Sequence, residues 1–160
     1  MTEDEKLELL LRHQTNVREA CEMLGRKLIT AEQAHVGRDL IAHGQIHDNS
    51  KFHGIEWEFA TDPTCKNRTG LKYAITQHTH ANPHHPEYWG GIIEMPEVYV
   101  AEMVCDWKAR SNEFGRDLRE WIVKDAAKRY KFSRNSPVCI KIMEFVDMIC
   151  EVPFTPIPQP

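Results

Sequence analysis

The spacing of apolar residues over the first 24 positions restricts the fold more than any other feature of the chain. Leu7, Leu10, Leu11, Val17, Ala20, Cys21 and Leu24 recur at helical intervals, a stripe that a strand would scatter over both faces. Thr2 followed by Glu5 forms a capping box that would open this helix, and Gly25 is placed to stop it. A second helix is expected from Thr30, with Gln33 completing another capping box, through Ala34, Leu40 and Ile41 toward His47. Pro63, Pro83 and Pro86 divide the middle into short helices joined by loops. "PEVYVAEMVCDWKARS", from Pro96, reads as a strong helix with proline at its first position. Two more helices are expected near 112–130 and 136–150, the last capped by Ser136 with Pro137 beside it. No stretch alternates as a strand does. The expected fold class is therefore all-α, a single helical bundle over residues 1–150. The segment "EVPFTPIPQP", residues 151–160, follows as a Pro-rich extended or disordered tail.

Composition narrows the function classes. At 160 residues the chain is long enough for one domain with a real core. The acidic start "MTEDEKLELL" has neither the basic nor the apolar region of a signal peptide, and no run approaches the ~20 apolar residues of a membrane span. Five scattered cysteines without a CxxC pair fit reduced thiols, so a cytoplasmic setting is expected. A formal charge of −4 argues against a dedicated nucleic-acid binder, and the basic run "KDAAKRYKFSR" reads as a solvated helix face. Histidine stands out: there are nine, four of them within "HTHANPHH", residues 78–85.

Two polar residues fall on apolar stripes. His13 lies three residues after Leu10 and four before Val17, which turns its imidazole inward as a hydrogen-bonded core residue or a ligand. Asp106 lies seven after Tyr99 and three after Met103, and a buried carboxylate there needs a cation, a charged partner or several donors. His47 and Asp48 stand side by side in "GQIHDNSKF" at the expected end of the second helix, where a turning backbone can bring both side chains to one point. Two imidazoles and two carboxylates from three helices suit a divalent cation such as Mn, Fe, Co, Ni or Zn. The histidine-rich loop, with His78, His80, His84 and His85, would supply a second metal or hold a phosphate. His35 also precedes the His47-Asp48 pair but lies on the same helix as the pair, so His13 is preferred as first ligand. His43 and His47 form an i,i+4 pair without the glutamate of a zinc-protease helix.

The order His13, His47-Asp48, Asp106 resembles the H…HD…D pattern of HD-domain metal-dependent phosphohydrolases. "LRHQTNV" is similar to the context of the family's first histidine, and Lys51 follows the pair as a lysine often does there. A closer likeness is to a small group of uncharacterised bacterial and phage HD-type proteins, through "HDNSKF", His78 with "NPHHPEYW", and "EMVCDWKA". The likeness spans about residues 10–112.

That resemblance implies one cation on His13, His47, Asp48 and Asp106. A second would sit on His78 with His84 or His85, and Asp48 would bridge the two. The ions implied are Mn, Co, Fe, Ni, Zn or Mg. The implied reaction is hydrolysis of a small phosphorylated molecule, above all a nucleotide, by water activated at the metal. Asp48, Lys51, Glu56 and His78 are then the candidate catalytic residues, and Lys51, His84, His85 and Arg110 the candidate substrate contacts. Glu58 and Glu87 join Glu56 as candidate acid–base or orienting carboxylates. Trp57, Tyr88 and Trp89 could stack on a base or pack the core. The competing readings are an HD-type di-iron oxygenase and a non-catalytic metal- or ligand-binding module. Homo-oligomerisation through the tail is left open.

Overall fold

The computed structural model describes residues 1–62 and 64–150, so the expectation for the tail lies outside the described residues. The fold is all-α, with no strand among the described residues. The chain opens with α1 (Glu3–Thr30), α2 (Ala34–Gly44) and α3 (Arg68–Ala81). It continues with α4 (Glu97–Glu113), α5 (Leu118–Trp121), α6 (Ala127–Arg129) and α7 (Pro137–Cys150). Short 3₁₀ turns lie in the connections, with a π-helical stretch, Glu56–Ala60, between α2 and α3 and another, Ile122–Ala126, joining α5 to α6.

The capping box at the start of α1 forms as expected: Thr2 Oγ1 accepts from the Glu5 amide at 3.1 Å, and the Thr2 amide donates to Glu5 Oε2 at 2.7 Å. Gly25, however, does not stop this helix. It lies inside α1 and is buried where α1 meets α2. A Cβ on Gly25 would come 2.7 Å from the Gly37 carbonyl, and one on Gly37 would come 2.4 Å from the Gly25 carbonyl. Glycine serves here because two helix backbones touch, a tertiary reason that local spacing does not carry. Nor does the second expected capping box form. Thr30 turns its hydroxyl back to the Arg26 carbonyl, and Gln33 precedes α2 with no side-chain cap. Leu7 and Leu11, counted on the apolar stripe, are exposed.

Gly25 faces Gly37 and Ile41, Gly44 faces Cys21, and the His13 and His47 rings lie 5.9 Å apart, so α1 and α2 run antiparallel. Behind them α4 packs against α1, α2 and α7 and is buried on most of its circumference, from Val100 through Trp107. Trp107 on α4 then meets Trp121 edge-to-face at 5.0 Å and Tyr130 in a stack at 5.8 Å. Those contacts hold the α5–α6 arm across the end of α4. Ser136 caps α7 as expected, accepting from the Cys139 amide at 3.3 Å.

Candidate metal centre

α2 ends at Gly44, three residues before His47, and the chain turns through Asp48 in the left-handed region (φ 57°, ψ 20°). Such backbone is costly for most residues, and aspartate is among the few that tolerate it. Gln14 of α1 fixes the turn, donating to the His47 carbonyl at 2.6 Å and to Asn49 Oδ1 at 2.8 Å. Adjacent residues can therefore face one centre because they lie on a turn and not on a helix.

Asp48 sits in the middle with its two oxygens facing different imidazoles. Oδ2 is 3.6 Å from His47 Nε2 and 3.9 Å from His13 Nε2, while His13 Nε2 is 3.1 Å from Asp106 Oδ1. Oδ1 is 3.3 Å from His78 Nε2 and 3.4 Å from His84 Nε2. His85 completes the second side, its Nε2 2.9 Å from that of His78. Three overlapping groups have ligand atoms close enough to share an ion: His13, His47 and Asp48; Asp48, His78, His84 and His85; and His47, His84 and Asp106. His35, the alternative first ligand, is exposed and belongs to none of them.

The outer nitrogens are equally organised. Nδ1 of His13 donates to Glu113 at 2.9 Å, that of His47 to Glu102 at 2.9 Å, and that of His78 to Glu56 at 2.8 Å. His84 Nδ1 lies 3.4 Å from the same oxygen of Glu102. A carboxylate only accepts, so these Nδ1 atoms carry hydrogen, which leaves Nε2 of each ring as the atom able to bind an ion. Nε2 of His13, His47 and His84 and Oδ1 of Asp48 and Asp106 are buried without a hydrogen-bond partner. Each such atom costs about 1–3 kcal/mol when left unpaired, and a cation shared within the three overlapping groups would satisfy them. Donor set and geometry fit a divalent ion bound by nitrogen and oxygen.

The carboxylates of the centre are held ionised by their neighbours. Burial would raise the Asp48 carboxyl, but Lys51, 2.5 Å away, and the surrounding imidazoles hold it well below the usual carboxylate range. Burial is likewise outweighed at Asp106 by His13 and His47, and at Glu102 by hydrogen bonds to His43, His47 and His84. His85 is pushed down to about 3 by burial and by its histidine neighbours, so it stays a neutral donor of electron pairs.

Several expectations change on contact with this geometry. Glu56 is fully buried and spends Oε2 on His78 and on Ser50, which makes it an orienting residue for His78. Lys51 is committed to Asp48. Glu58 is exposed and Trp57 donates to Glu3 at the start of α1, so neither joins the centre. Trp89 donates to the Pro83 carbonyl and packs on Tyr99, a core role, while Tyr88 is exposed. His43 stacks on Tyr99 and shares Glu102 with His47 without entering a ligand group, and His80 faces solvent. Arg110 pairs with Glu113 at 3.2 Å on the rim of a cleft that begins at His85 and Asp106.

Sequence reasoning missed Glu102 and Glu113. Their signal was present: Glu102, Asp106 and Glu113 are four and seven residues apart on α4 and so share a face with the ligand. Because Glu102 orients two ligand imidazoles at once, Glu102→Gln is expected to weaken divalent-metal affinity about 10–100-fold. Competition against a chelator dye measures it, with exposed Glu58→Gln as the unchanged control.

An all-α bundle that gathers five imidazoles and a second carboxylate around one buried aspartate defines a helical protein with a candidate metal centre. The chain belongs to DUF5662, a family of unknown function, whose model matches residues 2–152. No curated protein and no solved structure matches it significantly.

Proposed function

We propose that the chain is a metal-dependent hydrolase of small phosphorylated molecules, nucleotides above all, of the HD type. The observation that carries this reading is Asp48, whose two oxygens face separate imidazole sets: His13 and His47 on one side, His78 and His84 on the other. The ligand order His13, His47-Asp48, His78, His84, Asp106 adds the resemblance to the binuclear HD hydrolases. Bound divalent ions would supply Lewis acidity toward a phosphoryl oxygen and a water nucleophile at neutral pH. The chain's own residues do the rest. Glu102, Glu113 and Glu56 hold the imidazoles in one orientation. Lys51 balances the charge of Asp48 and stands ready to meet phosphate oxygens when that carboxylate is shared with an ion. His85, held neutral, and Arg110 flank the place where the substrate enters.

The test is phosphate release from a panel of nucleoside mono-, di- and triphosphates and cyclic dinucleotides, with Mn, Co or Mg supplied. Turnover on at least one, abolished by chelation, is the expected result. Absence of turnover across the panel from metal-loaded protein would overturn the reading, and product formation only with iron and O₂ would replace it with an oxygenase.

A further inference from the structure

The cleft beside the centre has a volume of about 220 Å³ and begins at His85 and Asp106. One side is lined from α4, through Trp107 and Arg110, another from the α5–α6 arm, through Arg129 and Tyr130, and Phe114 and Arg116, between the two, line it as well. Three guanidinium groups thus line a small concave space on a chain whose formal net charge is −4. The one acid among its lining residues is Asp106, which lies at the inner end against His13. Arg116 rests 5.4 Å over the Phe114 ring and Arg129 5.1 Å over the Tyr130 ring, so aromatic faces hold both forks in place, and neither is in an ion pair with a described carboxylate. Arg116 and Arg129, free of carboxylate partners among the described residues, present paired donors that match phosphate or carboxylate oxygens, and Arg110, shared with Glu113 at 3.2 Å, adds a third guanidinium beside them. Tyr130 adds a hydroxyl donor: burial pushes it up to about 12 against the pull of Arg129, so it keeps its proton. Packing of the Trp107–Tyr130 pair accounts for the arm's position but not for three cations gathered around one cleft.

The size of the cleft decides what part of a ligand it takes. It is smaller than the ~300–1,000 Å³ of pockets that enclose a whole drug-sized ligand. A substrate with one phosphoryl group at the centre would lay only one arm along it, and that arm is the part that departs.

Resting on the hydrolase reading above, we infer that the Arg110–Arg116–Arg129 cleft binds a second anionic group of the substrate, so the departing part is itself an anion. The substrate class is then a phosphoanhydride, such as a nucleoside diphosphate, and not the monoester of a neutral alcohol. In such a reaction a water oxygen bonds to the terminal phosphorus as the bridging P–O bond breaks. The electron pair of that bond stays on the departing phosphate, and the water's proton passes to solvent. The arginines meet the charge retained by the departing phosphate.

The experiment is calorimetric binding of inorganic pyrophosphate, ADP and adenosine to the metal-free full-length chain in chelator. Pyrophosphate and ADP are expected to bind, adenosine not, and added salt is expected to weaken the first two. The Arg116→Gln/Arg129→Gln double variant changes two exposed side chains and is expected to keep its circular dichroism while losing roughly tenfold or more in ADP affinity. Lys128→Gln, on the same arm but outside the cleft, is the matched control. Equal ADP binding by the double variant, adenosine binding as tight as that of ADP, or no pyrophosphate binding overturns the inference. The two proposals fail separately. Arginine-dependent ADP binding in a protein that releases no phosphate removes the hydrolase and leaves the anion cleft. Hydrolysis with an unchanged ADP-over-AMP preference in the double variant removes the cleft and leaves the hydrolase.

Discussion

Asp48→Ala is expected to yield a folded protein that retains little divalent metal after gel filtration and releases phosphate at least roughly 10³-fold more slowly. The size of the effect follows from position. Asp48 is buried, and its two oxygens face His13 and His47 on one side and His78 and His84 on the other. Removing it unties both halves of the centre at once, whereas loss of any one histidine unties one. The substitution also strips Lys51 of its 2.5 Å partner, so Asp48→Asn, which keeps the shape and drops the charge, separates lost ligation from lost packing. Elemental analysis, the phosphate-release assay and circular dichroism on both variants decide it. Metal content and turnover at the level of the unsubstituted protein would exclude Asp48 as the shared ligand.

Chelation is expected to lower the melting temperature by about 8–16 °C, restored when the cation is returned. One ion held at a thousandfold excess over its dissociation constant stabilises the folded state by about 4 kcal/mol. For a chain of this size each kcal/mol is worth about 2–4 °C. The structural ground is the set of five buried lone-pair atoms on His13, His47, His84, Asp48 and Asp106. Without a cation these groups crowd carboxylates against one another and against imidazoles in a water-poor interior. Scanning calorimetry with and without chelator measures the shift. An unchanged transition would mean that those atoms are satisfied by something other than a metal.

Much of the architecture was legible residue by residue. The cap at Thr2, the Ser136 cap and Pro137 start of α7, and the absence of alternation report local preferences that survived folding, whereas the capping box expected at Gln33 did not form and Pro96 stands one residue before α4. The inward direction of His13 and Asp106 was legible for the same reason: a 3.6-residue repeat assigns a face before any partner is known. The same logic misplaced Leu7 and Leu11, because a helix of 28 residues outruns the core that covers it. It misread Gly25 because a glycine that ends a helix and a glycine that admits a neighbouring backbone look alike in one dimension.

What the amino-acid order determined by itself was therefore the helical class and the inward direction of His13 and Asp106, since these depend on neighbours within about a turn. The tertiary structure alone decided which carboxylate serves which imidazole. Glu113 reaches His13 across 100 residues and Glu102 reaches His47 across 55, distances over which no periodicity carries information. It alone decided, too, that Arg110, Arg116 and Arg129 share a cleft. That meeting depends on Trp107 receiving Trp121 and Tyr130, a packing choice made only when α5–α6 folds back onto α4.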